Sequence, residues 1–240
     1  MIASDNPYLI IFLGAPGSGK GTQTILTAEK FKLLRVEMSK LLERHLANAK
    51  PGEKIVANGT DYLIEDQMKR WQEGFLVEAP VVSKILEQEL KALLERGESI
   101  ILDGFPRSVE QMEFVMEFLD KEIGKDRMLI FYLNVGEEAS LQRNSHRRIC
   151  ELMRHPVLSH PDTEKLTICP LDGSRLINRA LDDPEVIKVR LQEFRKQTLP
   201  LLDYFEKEGV VIYRINGEQS VADVFGEISG IMSQMAPQTV

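Results

Sequence analysis

The stretch GAPGSGKGT, at positions 14–22, has the residue types and spacing of a phosphate-binding loop. Gly14, Gly17 and Gly19 allow successive backbone N–H groups to face an anion, and a following helix adds partial positive charge at its N-terminus. Lys20 is placed to reach the outer phosphates of a nucleotide. The pattern normally continues with Ser or Thr, whose hydroxyl binds Mg²⁺. Here a glycine occupies position 21, and the hydroxyl comes one residue later, at Thr22.

Arginines form the second set of candidate residues. The chain has a net charge of −7, so we expect no general attraction for nucleic acid or for an acidic membrane. Phosphate binding must therefore rely on locally concentrated cations, and guanidinium groups bind phosphate bidentately and stay charged. The candidates are Arg107, Arg143, Arg147, Arg179 and Arg190. Arg148 is interpreted as a solvated surface residue, the usual environment of a lone arginine.

The candidate residues lie on or beside predicted strands and helices that alternate along the chain. Apolar, strand-like runs occupy 8–13, 99–102, 128–135 and 210–215. Helical patterns occupy 21–31, 80–96, 108–119, 137–148, 183–205 and 220–232, and Ser108, Asp183 and Ser220 are candidate N-caps. Near-continuous apolar strands that alternate with helices predict an α/β fold, in which helices flank both faces of a parallel sheet in three α/β/α layers.

Two segments break this alternation. Residues 34–74 are polar and helix-like, with turns at 50–52 and near Asn58-Gly59, and residues 150–183 are rich in Pro, His, Asp and Gly. We expect both to be inserts that cover the ligand. The predicted core comprises 1–36, 78–145 and 183–240, with one insert at 37–77 and a second at 146–182. The residues from 233 onward are predicted to be a frayed tail.

Further segments extend the glycine loop into a match of several parts. They are LDGFPRSVEQ at 102–111, R-x-x-x-R-R at 143–148, NRALDDPEV at 178–186 and VVIYRINGEQSVADVF at 210–225. In order and spacing these segments resemble those of nucleoside monophosphate kinases, and adenylate kinases most closely. The resemblance implies a P-loop fold in which 37–77 is a helical monophosphate-binding insert and 146–182 is a lid. It also implies reversible phosphoryl transfer, Mg·ATP + AMP giving 2 ADP, with Mg²⁺ as cofactor.

The resemblance implies a cationic catalytic set and a donor site. Phosphoryl transfer depends mostly on positioning and electrostatic stabilisation, so well-placed cations suffice for catalysis. The implied catalytic residues are Lys20, Arg107, Arg143, Arg147, Arg179 and Arg190. The implied ATP-binding residues are Gly14, Gly17, Ser18, Gly19, Lys20, Gly21, Thr22, Arg147 and Gln219. Asp103 is expected to hold Mg²⁺ through water, which leaves Thr22 to contact phosphate; a helix-capping or loop role is the alternative for Asp103.

The acceptor side departs most from the family pattern. The implied AMP-binding residues are Met38, Arg44, Phe75, Leu76, Val77, Gly104, Phe105, Arg107, Gln111, Arg179 and Arg190. Gln111 is placed to bind the base edge, but it also lies three residues after Ser108, where it would close a capping box instead. Glu43 stands where the family has a phosphate-binding arginine, and Arg44 replaces that arginine only after a local register shift. AMP is the leading acceptor, with UMP, CMP or a deoxynucleotide as the alternative.

The lid contains a candidate structural zinc site, which the resemblance suggests. Cys150, Cys169 and Asp172 occupy ligand positions, but Met153 stands where a further cysteine belongs. A thioether is a poor ligand for Zn²⁺, so His155 or His160 would have to replace it. The alternative is a relic knuckle with two free thiols. Beyond it, Leu181 replaces an acidic partner of the arginine cluster, and Asp183 is a candidate to compensate.

The remaining expectations concern the form and class of the protein. Two cysteines and the lack of a signal-peptide or membrane-spanning pattern predict a cytoplasmic protein. We also expect a monomer. A rival function is a nucleotide-binding protein with little catalysis and a regulatory or assembly role, which the altered acceptor and lid motifs favour. The presence of all five candidate arginines favours an enzyme, because a pure binder has no need of those in the lid.

Overall fold

The computed structural model describes residues 7–47, 49–157, 161–178 and 183–235. Its strands are β1 (Leu9–Gly14), β2 (Leu34–Glu37), β3 (Lys54–Ala57), β4 (Thr60–Leu63), β5 (Ile100–Asp103), β6 (Met128–Asn134), β7 (Arg148–Cys150), β8 (Pro156–Val157), β9 (Leu176–Ile177) and β10 (Val211–Asn216). Its helices are α1 (Lys20–Phe31), α2 (Met38–Leu46), α3 (Ile64–Gln72), α4 (Ala79–Leu94), α5 (Val109–Glu122), α6 (Glu137–Ser145), α7 (Pro161–Glu164), α8 (Pro184–Glu193), α9 (Leu201–Lys207) and α10 (Val221–Met235).

Five strands of the described chain form one parallel sheet, in the order β10-β6-β1-β5-β2. Strand β1 is buried along its whole length, as is expected for a strand with covered neighbours on both sides. Side chains alternate between two apolar layers. Ile10 and Phe12 pack with residues of α1 and α10, whereas Leu9 and Ile11 pack with residues of α4, α5 and α9. The predicted three-layer α/β/α fold and its four predicted strands are confirmed.

The first insert contains the helices α2 and α3, in line with its predicted helical character, but also strands that were not predicted. Residues 34–37 form β2, an edge strand of the central sheet, and 54–63 form the antiparallel hairpin β3–β4. The predicted turn at Asn58-Gly59 is confirmed: both residues have positive φ, 50° and 73°, as a two-residue hairpin turn requires. The polar composition concealed these strands because β2 is a sheet edge and the hairpin is largely exposed.

The second insert is built on a small antiparallel sheet, in the order β8-β7-β9. Arg148 begins β7 and donates from both terminal guanidinium nitrogens to the carbonyl oxygens of Thr163 and Leu166, each at 2.6 Å. Its interpretation as a solvated surface residue is therefore wrong. These bonds tie β7 to α7 and to the residues that follow it, and they give Arg148 a structural role within the lid.

The C-terminal third follows the predicted helices with one interruption. Asp183 caps α8 by accepting from Glu185 N at 2.9 Å, and Ser220 accepts from Asp223 N at 3.2 Å. The single helix predicted at 183–205 is divided by the π-helical segment Phe194–Thr198, which precedes Pro200. Helix α10 extends to Met235, so the predicted frayed tail is wrong for 233–235, and 236–240 lie outside the described residues. Among the described helices, none is both long and apolar enough to span a membrane.

Candidate active site

The glycine loop joins β1 to α1 at the carboxyl edge of the sheet. A Cβ atom on Gly14 would lie 2.6 Å from the carbonyl oxygen of Leu133, and one on Gly17 would lie 2.5 Å from the side-chain amide nitrogen of Asn144. Both glycines also have positive φ, so no side chain fits at either position. The loop can approach β6 and α6 closely for this reason, and α1 begins directly after it at Lys20, so the free N–H groups of the helix N-terminus adjoin the loop.

Lys20 folds back over this loop. Its ammonium group donates to the carbonyl oxygens of Gly14 and Ala15, at 2.6 and 2.8 Å, and to Ser18 Oγ at 3.2 Å. Burial lowers the pKa of Lys20 to about 7, an effect that nearby Asp103 opposes and nearby arginines reinforce. The ammonium group is thus held where an anion would offset the cost of its burial.

Arg107 lies across the cleft from Lys20 on the segment between β5 and α5. Its Nε donates to the carbonyl oxygen of Gly104 at 2.9 Å, and its own carbonyl oxygen accepts from Thr198 Oγ1 at 2.6 Å. Burial lowers the pKa of Arg107, and Asp103 partly offsets this change. A side chain on Gly104 would meet the Arg107 guanidinium at 3.1 Å. The glycine therefore leaves the space that the guanidinium occupies.

These residues line one cleft of about 750 Å³, within the size range of nucleotide-sized binding sites. Two further arginines reach it from the lid side: Arg143 donates to the carbonyl oxygen of Gly217 at 2.8 Å, and Arg147 lies on the wall. The predicted residues that the structure brings to this cleft are Gly17, Ser18, Gly19, Lys20, Gly21, Thr22, Asp103, Gly104, Arg107, Arg143, Arg147, Arg190 and Gln219. Arg179 and His160 lie outside the described residues.

The comparison with known proteins agrees with this geometry. Residues 12–210 match the family model described as adenylate kinase. The chain belongs to the adenylate kinase family. It is 34% identical over 231 residues to an adenylate kinase of Clostridium botulinum, covering 94% of this chain and 98% of that protein. It is 31% identical over 228 residues to an adenylate kinase of Oceanobacillus iheyensis, covering 94% of this chain and 99% of that protein.

Several residues predicted for the acceptor site of an adenylate kinase do not line the cleft in the described chain. Met38, Val77 and Phe105 are buried in the apolar layer beneath it, at 3%, 3% and 1% exposure. Phe75 is exposed, and Leu76 borders a small pocket below the glycine loop. Their predicted contacts with AMP stay predictions.

The side chain of Gln111 does not close the predicted capping box. Its backbone N–H donates to Ser108 Oγ at 3.1 Å, which confirms Ser108 as the N-cap of α5. Its side-chain oxygen accepts from Arg107 N at 2.8 Å, one residue before the position that a capping box would use. The side-chain amide therefore braces the backbone of Arg107, and binding of a base by Gln111 stays a prediction.

Glu43 and Arg44 pair with other charged side chains and do not line the cleft in the described structure. Arg44 donates to Glu89 Oε2 at 2.8 Å on the outer side of α2 and is not part of the cleft wall in the described structure, so no register shift brings it there. Glu43 accepts from Nη1 of Arg154 in the lid, at 2.8 and 3.0 Å. Arg154 holds a φ of 60°, which costs about 1 kcal/mol or more for a residue with a side chain. This pair links the two inserts across the mouth of the cleft.

Several cleft residues are absent from the sets predicted from sequence, and two of them have side chains suited to the chemistry of the site. Arg35, the second residue of β2, donates to Asp103 Oδ2 at 2.6 Å, and Trp71, near the end of α3, lies on the cleft wall. The sequence offers no signal for Arg35, because residues 34–37 lack the continuous apolar run that predicts a strand. Trp71, the single tryptophan of the chain, was an available candidate for a base-facing wall.

The lid residues proposed as metal ligands do converge. Cys150, His155, Cys169 and Asp172 place their donor atoms within 4.8 Å of one another. His155 Nδ1 lies 3.5 Å from Cys150 Sγ, 3.6 Å from Cys169 Sγ and 3.2 Å from Asp172 Oδ2. Met153 is 57% exposed, whereas both cysteines are buried. Of the two histidine alternatives, the described structure therefore supports His155 as the fourth member.

Proposed function

We propose that the chain is an adenylate kinase that transfers the γ-phosphoryl group of Mg·ATP to AMP and forms two ADP. The observation that carries the proposal is one cleft in which the glycine loop, Lys20 and guanidinium groups from three segments converge. The relatives named as adenylate kinases are matched over nearly their whole length. An enzyme that only positions and neutralises phosphates needs this arrangement and no covalent nucleophile.

Each part of the cleft has a proposed role. The loop N–H groups and Lys20 bind the donor's outer phosphates, and Thr22 contacts phosphate from the start of α1. Arg107 binds the acceptor phosphate. Arg143 and Arg147 bridge donor and acceptor as charge develops between them, and Arg190 supplies charge from α8. Closure of the inserts, which the Glu43–Arg154 pair supports, excludes water, so that the phosphoryl group reaches the acceptor.

The magnesium ion of the proposal is the one that accompanies ATP. Asp103 fits a role in holding it through water, because its carboxylate lines the cleft beside Gly21. A Cβ on Gly21 would lie 3.8 Å from Asp103 Oδ2, so the glycine leaves this side of the carboxylate uncrowded. The metal would supply neutralisation of phosphate charge there. The alternative of Asp103 as a helix cap has no support in the described contacts, since Ser108 caps α5.

Initial rates with ATP and a panel of monophosphates test the proposal. We expect ADP formation with AMP to exceed that with UMP, CMP and deoxynucleotides by at least about tenfold in kcat/KM. Another preferred monophosphate would retain the chemistry and overturn AMP as the acceptor. If no monophosphate gave ADP, the nucleotide-binding alternative would replace the enzyme. We also propose that the protein is a monomer and that it works in the cytoplasm, where its two free cysteines stay reduced. Sedimentation with and without nucleotides tests the monomer.

Lys20 predicts a pH dependence of ATP binding. The free protein has its Lys20 pKa near 7, and the negative charge of a bound triphosphate raises that pKa. Above about pH 7, binding must therefore take up a proton, and affinity falls as the pH rises, approaching tenfold per unit. Calorimetry in buffers of different ionisation enthalpy measures this uptake. We expect nearly one proton at about pH 8.5 and little at about pH 6, beyond the uptake seen with Lys20→Met.

We propose further that the lid binds a structural Zn²⁺ ion through Cys150, His155, Cys169 and Asp172. The donor set suits zinc, because two thiolates, an imidazole and a carboxylate are its usual ligands. The separations of His155 Nδ1 from Cys150 Sγ and Cys169 Sγ, 3.5 and 3.6 Å, are close to those between ligand atoms of a tetrahedral zinc site. The ion would hold β7 to the loop before β9 and take no part in phosphoryl transfer.

Zinc content and thermal stability test the lid site. We expect about one zinc per chain, and a loss of several degrees in Tm after chelation, since about 1 kcal/mol shifts Tm by about 2–4 °C in a protein of this size. His155→Ala should lose the metal. Met153→Ala is the matched control, since Met153 lies in the same loop between β7 and β8, and this variant should keep the metal. Equal zinc content in His155→Ala and the unmodified protein would contradict the assignment, and no zinc in either would favour the relic knuckle.

A further inference from the structure

Arg35 lies between two carboxylates at the carboxyl edge of the sheet. Glu37 and Asp103 are register partners on the neighbouring parallel strands β2 and β5, so their side chains leave the same face side by side. A single guanidinium nitrogen, Arg35 Nη2, lies 3.0 Å from Glu37 Oε2 and 2.6 Å from Asp103 Oδ2. One cation thus neutralises both acids.

The contacts of Arg35 fix one oxygen of Asp103. Nη2 and Nε of Arg35 donate to Oδ2 at 2.6 and 3.2 Å, and Thr24 Oγ1 lies 3.0 Å from the same atom. The Arg35 Nε also donates to Thr24 Oγ1 at 3.0 Å, which closes a triangle of bonds on the face of α1. None of these bonds uses Oδ1. Asp103 is therefore held through one oxygen while its carboxylate borders the cleft.

Without Arg35, the same place has the chemistry of a direct metal site. Two adjacent carboxylates beside a cleft supply the oxygen ligands that Mg²⁺ and Mn²⁺ prefer. The guanidinium fills this place with a charge that is never lost by deprotonation. Lys40 adds a second cation, with its Nζ 3.3 Å from Glu37 Oε2, but the Lys40 side chain is half exposed and its ion pair is with Glu37 alone among the two acids. Arg35 is the residue that joins the two acids.

We propose that Arg35 is a positioning residue for Asp103 and acts as a built-in cation between Asp103 and Glu37. Its guanidinium orients the carboxylate through Oδ2 and keeps a divalent ion from binding directly to the acid pair in the nucleotide-free protein. A metal that arrives with ATP then meets Asp103 only through water. The effect of Arg35 on catalysis rests on the proposed kinase function. The exclusion of metal from the acid pair does not depend on that function.

Binding of Mn²⁺ to the nucleotide-free protein, followed by electron paramagnetic resonance, tests the exclusion directly. We expect Arg35→Gln to bind Mn²⁺ at least about tenfold more tightly than the unmodified protein, because two carboxylates lose their shared counter-charge. Arg35→Lys keeps a charge and should bind like the unmodified protein. Adding Asp103→Asn to Arg35→Gln should remove the gain. Equal Mn²⁺ affinity in Arg35→Gln and the unmodified protein would overturn the proposal.

Steady-state kinetics supply the second readout. Arg35→Gln should lower kcat by about tenfold or more and shift the Mg²⁺ dependence of the rate, while KM for AMP changes little. Arg214→Gln is the matched control. Arg214 lies on β10, at the sheet edge opposite β2, and pairs with exposed Glu206 at 2.7 Å. A rise in KM for AMP at unchanged kcat would assign Arg35 to substrate binding and contradict positioning. If the unmodified protein formed no ADP, the kinase proposal would fail, and the Mn²⁺ measurement would still decide the role of Arg35.

Discussion

Lys20→Met is expected to lower kcat for ADP formation by about 10²–10³-fold, the usual loss when one preorganised electrostatic group is removed. Methionine retains most of the length of the side chain but cannot place a positive charge over the loop carbonyls of Gly14 and Ala15. The folded protein should not lose stability. Burial depresses the Lys20 pKa below its unfolded value, so the charged form destabilises the fold at and below pH 7 and its removal relieves that cost.

Coupled measurement of ADP formation and a thermal melt at pH 7 check both parts of this prediction. Lys188→Met serves as the control, since Lys188 is 63% exposed and pairs with Glu185 at 2.7 Å on α8. We expect the control to keep the activity and Tm of the unmodified protein. Near-normal kcat in Lys20→Met would show that the loop holds the donor phosphates without the lysine, and it would contradict the proposed role.

Arg107→Lys is expected to lower kcat/KM for the monophosphate by about 10²-fold, which corresponds to about 2.7 kcal/mol. The substitution keeps the charge, but an ammonium group cannot form the two parallel bonds that a guanidinium gives to phosphate. The variant should fold normally, because the bonds that Thr198 and Gln111 make to this segment involve only the Arg107 backbone.

Initial rates at varied monophosphate and fixed ATP measure this effect, and the loss should appear mainly for the acceptor. KM for ATP should change by less than about threefold, since Lys20 and the loop hold the donor. Arg214→Lys, an exposed arginine on β10, is the control and should be unchanged. An Arg107→Lys variant that lost ATP affinity but retained AMP affinity would assign Arg107 to the donor side.

Local sequence patterns were sufficient for the core of the fold. Strand β1, the glycine loop and α1 could be predicted together, because each is encoded by adjacent residues whose conformations and burial follow from their types. The caps of α5 and α8, at Ser108 and Asp183, are equally local. Edge strand β2 and hairpin β3–β4 were missed, since a strand with one partner and an exposed face has no continuous apolar run.

The sequence by itself determined the kind of chemistry: a phosphate-binding loop, a lysine and a set of arginines on an α/β core. It could not determine which charges meet, because ion pairs between distant segments depend on how the segments pack. Only the tertiary structure shows that Glu43 pairs with Arg154 and that His155 lies beside the two cysteines. It also shows that Arg35 lies between Glu37 and Asp103. The last pairing depends on the register of β2 against β5, which the bonds of the folded sheet alone establish.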